Sequence, residues 1–221
     1  MNKVLVRTIS GTGFVLVMLA GLLVNKYIFT ALVAFLMLGM ICEVVKISVN
    51  VRDRLTWRML WLLTIVLYGA CLFFLGFSGG EFSGKLLLCI YVMIWSSDVG
   101  AYCTGSLLGQ KAGSRKLAPN ISPHKSWAGF WGGLAFTVAA SLILHYFGML
   151  SFPAMHCLII AVIVHCAGVC GDLAESKFKR CCGVKDSGTL IPGHGGLLDR
   201  LDSSMAAIPA AFLYMLILKL L

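Results

Sequence analysis

Hydrophobic residues occur along this chain in long unbroken stretches, and polar residues gather in the short segments between them. A membrane-spanning helix needs roughly 20 apolar residues, and seven stretches of about that length can be drawn. Continuous rather than alternating stretches disfavour a transmembrane β-barrel. We therefore predict an all-α, polytopic membrane protein with about seven transmembrane helices. The predicted spans are Ile9–Val24, Tyr27–Val45, Met59–Phe77, Leu86–Gly105, Trp127–Phe147, Pro153–Gly171 and Ser203–Leu221.

Two of these spans leave room for other interpretations. The first has a basic start and an apolar stretch, as a secretory signal has, but Asn25, Lys26 and Tyr27 follow where a small-residue cleavage site is expected. We therefore expect a retained first transmembrane helix. The span that begins at Leu86 is interrupted in its second half by Asp98 and several small residues. For this span, a broken helix and a partly lumenal helix stay open as alternatives.

The composition supports a membrane protein with no sizeable soluble domain. Of the 221 residues, 59% are hydrophobic and 12% are charged, whereas a soluble domain has about 25% charged residues. Only helices or closed barrels satisfy the backbone hydrogen bonds in lipid. We therefore expect a single membrane-embedded domain over residues 1–221.

The formal net charge of +9 carries topological information. When the N-terminus is placed in the cytoplasm and the spans alternate, 15 of the 18 basic residues fall on the cytoplasmic side. Such a bias is typical of cytoplasmic loops, so we predict a cytoplasmic N-terminus. A nucleic-acid partner is not needed to explain the charge. For a bacterial protein, this topology implies the inner (cytoplasmic) membrane.

The first polar segment that could carry chemistry is Ser97–Tyr102, at the end of a hydrophobic span. An ionisable residue at membrane depth, here Asp98, is a functional candidate by default. The structural alternative is a carboxylate that pairs with an arginine of a neighbouring helix.

The second polar segment, Lys116–Trp127, cannot be helical through Ser122-Pro123. It offers ammonium groups, hydroxyl groups and backbone donors, which together could hold a phosphate group. The alternative is a basic cytoplasmic loop followed by an interfacial tryptophan belt, which Trp127 and Trp131 would fit.

The third segment runs from Gly171 to Asp202 and is the most charged part of the chain. If the helix continues past Gly171, four polar residues share one of its faces: Asp172, Glu175, Ser176 and Lys179. Carboxylates among many lysines and arginines suit a polyphosphate substrate with its divalent metal. A solvated charged loop is the alternative.

This third segment resembles a known signature. The pattern is Ser176-x-Phe-Lys179-Arg180, four residues, Lys185-Asp186-x-Gly188, then Pro192-x-His194-Gly195-Gly196-x-x-Asp199-Arg200-x-Asp202. It closely resembles the signature of the phosphatidate cytidylyltransferases, also called CDP-diacylglycerol synthases. The motifs around Asp98 and Lys125 are also similar to that family. The resemblance covers residues 98–202, whereas residues 1–90 match only as generic membrane helices.

The resemblance implies transfer of CMP from CTP to phosphatidic acid, with CDP-diacylglycerol and pyrophosphate as products. Family members are polytopic helical proteins with a cytoplasm-facing site, and some are dimers, which leaves a homodimer open here. A paired-metal centre with Mg2+ and K+ is held by two aspartates, which correspond to Asp172 and Asp199.

For this reaction, the chemistry of the residues supports further roles. Asp186 and Asp202 are expected to orient basic side chains, and Asp98 and Tyr102 to line the path of the lipid phosphate. The expected catalytic residues are Asp172, Asp199, Lys125, Lys179 and Arg180. The expected substrate-binding residues are Asp98, Tyr102, Ser122, Ser176, Lys185, Asp186, His194, Gly195, Gly196, Arg200 and Asp202.

Two other functions stay open on the sequence. A CTP-dependent polyprenol or lipid kinase would transfer the γ-phosphoryl group and would use similar carboxylates and cations. A cation transporter would need charges at mid-membrane in several helices, whereas here nearly all charge lies in loops.

Overall fold

The computed structural model describes residues 3–51, 53–111 and 114–221, which form seven α-helices and one antiparallel β-hairpin. All seven helices are long and apolar enough to cross a membrane, which confirms the predicted fold class. Arg52, one of the basic residues counted on the cytoplasmic side, lies outside the described residues. The helices are α1 (Lys3–Leu23), α2 (Lys26–Ile47), α3 (Arg54–Gly76), α4 (Lys85–Leu107), α5 (Trp127–Tyr146), α6 (Ala154–Cys181) and α7 (Leu198–Ile217). A 3-10 turn covers Ser48–Asn50.

Helix α4 runs without a break from Lys85 to Leu107, so the alternative of a broken helix is wrong. The small residues that suggested a break pack against α5 instead. A Cβ atom on Gly100 would lie 2.6 Å from the Cβ of Phe136 and 2.8 Å from the carbonyl oxygen of Gly132. Small residues allow two membrane helices to approach closely. Asp98 lies within the unbroken helix α4.

Helix α6 continues to Cys181, which confirms that the charged residues after Gly171 are helical. It ends in a Schellman motif: the Val184 N–H donates to Lys179 O at 3.0 Å, and the Gly183 N–H donates to Arg180 O at 3.1 Å. Gly183 has φ +71°, a left-handed conformation that glycine adopts without strain. The motif turns the chain sharply into residues 182–197, which we call the signature loop.

The segment between α4 and α5 contains the hairpin, which confirms that it is not helical. Strand β1 (Lys116–Ala118) pairs with β2 (Ser122–Ser126), with Lys116 opposite Ser126. Ser126 also caps α5, because its Oγ accepts a hydrogen bond from Gly129 N at 3.2 Å. The hairpin thereby fixes Lys125 directly before the first turn of α5.

Helix α7 packs against α3 and α4 through a buried polar cluster. The hydroxyl oxygens of Tyr68 and Tyr91 lie 2.6 Å apart, and Ser204 Oγ donates to Tyr68 Oη at 3.2 Å. Hydrogen bonds of this kind satisfy polar groups that the helices bury. They hold α7 against its neighbours at Ser204, within two helical turns of Asp199.

Candidate active site

Asp199 lies in the first turn of α7 and is only 8% exposed. One of its oxygens, Oδ1, accepts from Lys179 Nζ at 2.7 Å. The Ser187 N–H donates to both carboxylate oxygens, at 3.1 and 2.9 Å, and the Gly196 N–H donates to Oδ2 at 2.8 Å. The carboxylate therefore ties α6, the signature loop and α7 together.

The paired glycines allow this close approach. Gly195 has φ +87°, and a Cβ atom on it would collide with Asp199 Oδ2. A Cβ atom on Gly196 would collide with Ser187 Oγ and with the carboxylate of Glu43. Glycine is thus required twice where the backbone passes buried carboxylates.

Glu43, near the end of α2, is a residue that the sequence interpretation missed. The residue is 8% exposed. Its carboxylate accepts three hydrogen bonds: from Ser187 Oγ at 2.7 Å and from the N–H groups of Leu197 and Leu198, both at 2.9 Å. It satisfies N–H groups at the start of α7, which a helix leaves without intrahelical partners. This capping from another helix explains why α7 begins at Leu198, before the predicted Ser203.

A sequence signal for Glu43 did exist. It is the only acidic residue among the first 52 residues and lies within a membrane-length apolar stretch. The rule that singled out Asp98, that ionisable residues within a span are functional candidates, applies equally to Glu43.

Lys179 joins two buried carboxylates. Its Nζ lies 2.6 Å from Glu175 Oε2, one helical turn earlier, and 2.7 Å from Asp199 Oδ1. Glu175 is fully buried, and its Oε1 has no hydrogen-bond partner among the described residues. Glu175 and Lys179 therefore do share a face of α6, as predicted. In this arrangement Lys179 pairs with carboxylates of the protein and not with a substrate phosphate.

Asp172 pairs with the hairpin. It forms an ion pair with Lys125 of β2 and accepts a hydrogen bond from Ser176 Oγ at 3.3 Å. The hairpin thus places a cation against α6. Lys125 and Asp172 are only partly exposed, which makes their attraction stronger than that of a fully solvated pair.

A cavity of about 470 Å³ opens between α4, α5, α6 and α7, and we call it the carboxylate cavity. Asp98, Tyr102 and Asp172 line it together with Lys125. It also reaches Ile94, which lies thirteen residues before the end of α4, or about 20 Å at 1.5 Å per residue. The charged lining residues are Asp98, Lys125, Asp172, Asp199, Arg200 and Asp202.

A second cavity, of about 610 Å³, lies beside the first, and we call it the basic pocket. Arg200 lines both cavities. The signature loop forms most of the basic pocket, and Arg7 of α1 completes it. Its lining includes Arg7, Lys185, Asp186, Gly188, Thr189, Ile191, Pro192, Gly193, His194, Gly195 and Arg200.

Helix α1 holds the loop of the basic pocket in place. Arg7 Nε donates to Gly193 O at 3.1 Å. Ser10 Oγ lies 2.8 Å from Pro192 O and 2.9 Å from His194 Nδ1. These contacts were also missed, because the first helix had been interpreted as a generic span.

Five predicted site residues line neither cavity. Two of them, Ser176 and Lys179, instead contact the carboxylates of Asp172 and Asp199. Ser122 lies at the start of β2, and Gly196 acts through its N–H bond to Asp199. Arg180 is exposed and donates to Val184 O at 3.4 Å. Cys182 begins the signature loop, and burial raises the pKa of its thiol to about 11. This thiol is therefore neutral near pH 7 and unsuited to act as a nucleophile.

Two carboxylates of the carboxylate cavity are the ones expected to hold a divalent metal. Among the described residues, no three His, Cys, Asp or Glu side chains are arranged to hold a metal by themselves. Mg2+ usually takes one or two carboxylates together with substrate phosphates, and the carboxylate cavity offers Asp172 and Asp199. At Asp199, a metal would take the place of the Lys179 ammonium group.

Comparison with known proteins identifies the family. The model of the cytidylyltransferase family matches residues 50–218. The chain is 40% identical to the phosphatidate cytidylyltransferase of Pseudomonas aeruginosa over 154 residues, which are 69% of this chain and 55% of that protein. For the phosphatidate cytidylyltransferases of Haemophilus influenzae and Bacillus subtilis, identity is 44% over 128 and 126 residues. These matches cover 56% and 57% of this chain, and 43% and 45% of those proteins.

The chain spans about half the length of these curated relatives. The family model nevertheless matches more than half of the chain, and the matched region contains the hairpin, the signature loop and the carboxylate cavity. The chain therefore belongs to the cytidylyltransferase family.

Proposed function

We propose that this protein transfers CMP from CTP to phosphatidic acid, giving CDP-diacylglycerol and pyrophosphate. The observation that carries the proposal is the carboxylate cavity, which combines phosphate-handling charges with a lining that extends into the membrane-spanning part of α4. A lipid phosphate and a water-soluble nucleotide can meet there. The relatives named phosphatidate cytidylyltransferase support the same reaction.

The reaction needs positioning and charge neutralisation more than covalent help. A phosphatidate oxygen attacks the α-phosphorus of CTP, the bond from that phosphorus to the β-phosphate oxygen breaks, and pyrophosphate leaves. Lys125 and Arg200, both in the carboxylate cavity, neutralise phosphate oxygens on the two substrates. The attacking oxygen is already an anion near neutral pH, so no general base is required.

Asp172 and Asp199 are the proposed metal ligands. Mg2+, with K+ as a second ion, would neutralise negative charge that builds up on the transferred phosphate. Asp98 and Tyr102 line the cavity on the α4 side and would guide the lipid phosphate. Asp186 and Asp202 would orient neighbouring basic side chains, as carboxylates that surround a metal site commonly orient the groups that contact the metal.

We place the protein in the inner membrane of a bacterium, with its active site and its N-terminus on the cytoplasmic side. The distribution of basic residues supports this orientation, and the matched relatives are bacterial. A homodimer is a further proposal, taken from the family resemblance, and the mass of the purified protein in detergent tests it.

The reaction is tested on the purified chain in detergent with phosphatidic acid, Mg2+ and CTP labelled separately at the α- and γ-phosphates. We expect the α label in the lipid product and the γ label in released pyrophosphate. Transfer of the γ label to lipid would replace the proposal with a CTP-dependent lipid kinase. Transfer of neither label by folded protein would reject both reactions and favour a transporter.

A variant adds a second test of the same proposal. Asp172→Ala should lower turnover by at least about 100-fold, the scale expected when a key electrostatic group is removed. The protein should still insert and fold, because Asp172 is partly exposed and its loss leaves Lys125 able to reach water. Near-normal turnover would remove Asp172 from the metal site.

A further inference from the structure

We propose that the basic pocket binds the pyrophosphate end of CTP, and that Arg7 of α1 is one of its phosphate contacts. This inference rests on the proposed function. It assigns the carboxylate cavity to the attacking lipid phosphate and the basic pocket to the leaving pyrophosphate. It adds a residue from outside the signature to the binding site.

The positions of the two cavities suit an in-line displacement. In an in-line displacement, the attacking oxygen and the leaving group lie on opposite sides of the α-phosphorus. The carboxylate cavity reaches Ile94 in the membrane-spanning part of α4, which suits the lipid side. The basic pocket is lined by the signature loop, by Arg7 near the start of α1 and by Arg200 near the start of α7. Arg200 lines both cavities, so the α-phosphate belongs beside Arg200 and the leaving group belongs in the basic pocket.

The two cavities differ in the charge of their linings. Arg7, Lys185 and Arg200 bring three cations to the basic pocket, and Asp186 brings the one carboxylate. The carboxylate cavity has the opposite balance, with four carboxylates and two cations. Pyrophosphate carries several negative charges within a small volume, and a pocket lined by cations raises the local concentration of such an anion. The basic pocket is therefore the better place for the leaving group.

Arg7 is already oriented at the basic pocket by a hydrogen bond to the signature loop. Its Nε donates to Gly193 O at 3.1 Å, which fixes the plane of the guanidinium against the signature loop. A guanidinium held in one plane can bind phosphate oxygens through paired N–H groups with little further loss of freedom. Gly193 and Gly195 have φ +75° and +87°, and glycines in such turns expose backbone N–H groups to anionic oxygens.

The test measures binding of inorganic pyrophosphate, with Mg2+, to the purified full chain in detergent by titration calorimetry. Arg7→Ala and Lys185→Ala should each weaken pyrophosphate binding roughly tenfold or more, the scale of a lost charge-assisted hydrogen bond. Arg54→Ala is the matched control, since Arg54 begins α3 and lines neither cavity. It should bind pyrophosphate as the wild type does.

Steady-state kinetics supply the second measurement. In both variants, the KM for CTP and the inhibition constant for pyrophosphate should rise together, while the KM for phosphatidic acid stays within about twofold. A purely structural role of Arg7 would lower kcat without this selectivity. Lys185 makes the test independent of the bond between Arg7 and Gly193.

Three results would overturn the inference: no pyrophosphate binding by the wild type, unchanged binding by both variants, or a selective rise in the KM for phosphatidic acid. The last result would place the lipid phosphate in the basic pocket. Failure of CMP transfer is a separate outcome, because calorimetry reports pyrophosphate binding whether or not the reaction proceeds.

Discussion

Glu43→Gln is a minimal change at the point where the N-terminal helices meet the signature loop. The side chain keeps its size but loses its charge and one acceptor oxygen. In the wild type, Oε2 accepts from Ser187 Oγ and Leu198 N, and Oε1 accepts from Leu197 N. We expect this change to misplace Asp199, because Ser187 also donates its N–H to that carboxylate.

The size of the effect follows from counting donors. If the glutamine oxygen takes the place of Oε2, its NH2 group faces the Leu197 N–H, and two donors oppose each other. In the flipped orientation, the two donors that reach Oε2 lose their acceptor. At least one buried donor is therefore unsatisfied, at a cost of about 1–3 kcal/mol. If this energy must be recovered to bring Asp199 into place, kcat falls by a factor of roughly 5 to 150.

The assay combines turnover with thermal unfolding in detergent. We expect kcat to fall with little change in the KM for phosphatidic acid, and Tm to fall modestly. The matched control is Glu81→Gln, the same chemical change at an exposed position in the loop before α4, which should be silent in both measurements. A Glu43→Gln variant with a lower Tm but the wild-type turnover rate would refute the positioning role, because Glu43 would then stabilise α7 without positioning Asp199.

Three further predictions concern the residues around Asp199. Asp199→Ala should reduce turnover by at least about 100-fold, whereas Asp53→Ala, outside the signature, should be almost silent; equal rates for the two variants would contradict the site. Gly195→Ala should reduce kcat at least about tenfold, because the new Cβ collides with Asp199 Oδ2. Gly183→Ala, also at positive φ but with open space around it, should cost about 1–2 kcal/mol of stability and keep its turnover. Lys179→Met should lower the stability by about 3–5 kcal/mol, since it leaves buried carboxylates unpaired, and an unchanged Tm would show that these carboxylates are not charged together.

The helices could be predicted from the sequence because a bilayer imposes a simple rule. Every spanning helix needs a continuous apolar stretch of roughly 20 residues, and the seven stretches found by this rule are the seven helices of the structure. The hairpin was predicted as non-helical for an equally local reason, the proline that follows Ser122. Local rules were enough to predict the conformation of segments whose own sequence determines it.

Helix α4 shows where a local rule misleads. Small residues near Asp98 resemble a helix break in the sequence, but in the structure they let α5 approach. Their meaning depends on Phe136 and Gly132, more than thirty residues later in the chain. A single sequence does not show which helix a glycine faces.

The candidate site was predicted in its signature half and missed in its N-terminal half. The residues from Asp172 to Asp202 are close in sequence and recognisable as a pattern. Glu43 contacts Leu197 across 154 positions, and Arg7 contacts Gly193 across 186. Contacts at such separations depend on how the helices pack, so the first two helices were interpreted as generic although they support the signature loop.

The most direct test of the account is the stoichiometry of the reaction catalysed by the purified chain. CDP-diacylglycerol and pyrophosphate are quantified in the same samples after incubation with CTP, phosphatidic acid and Mg2+, for the wild type and for Asp199→Ala. We expect the wild type to form the two products in equal amounts and Asp199→Ala to form neither above background. CDP in place of pyrophosphate, or equal product formation by the two proteins, would contradict the account.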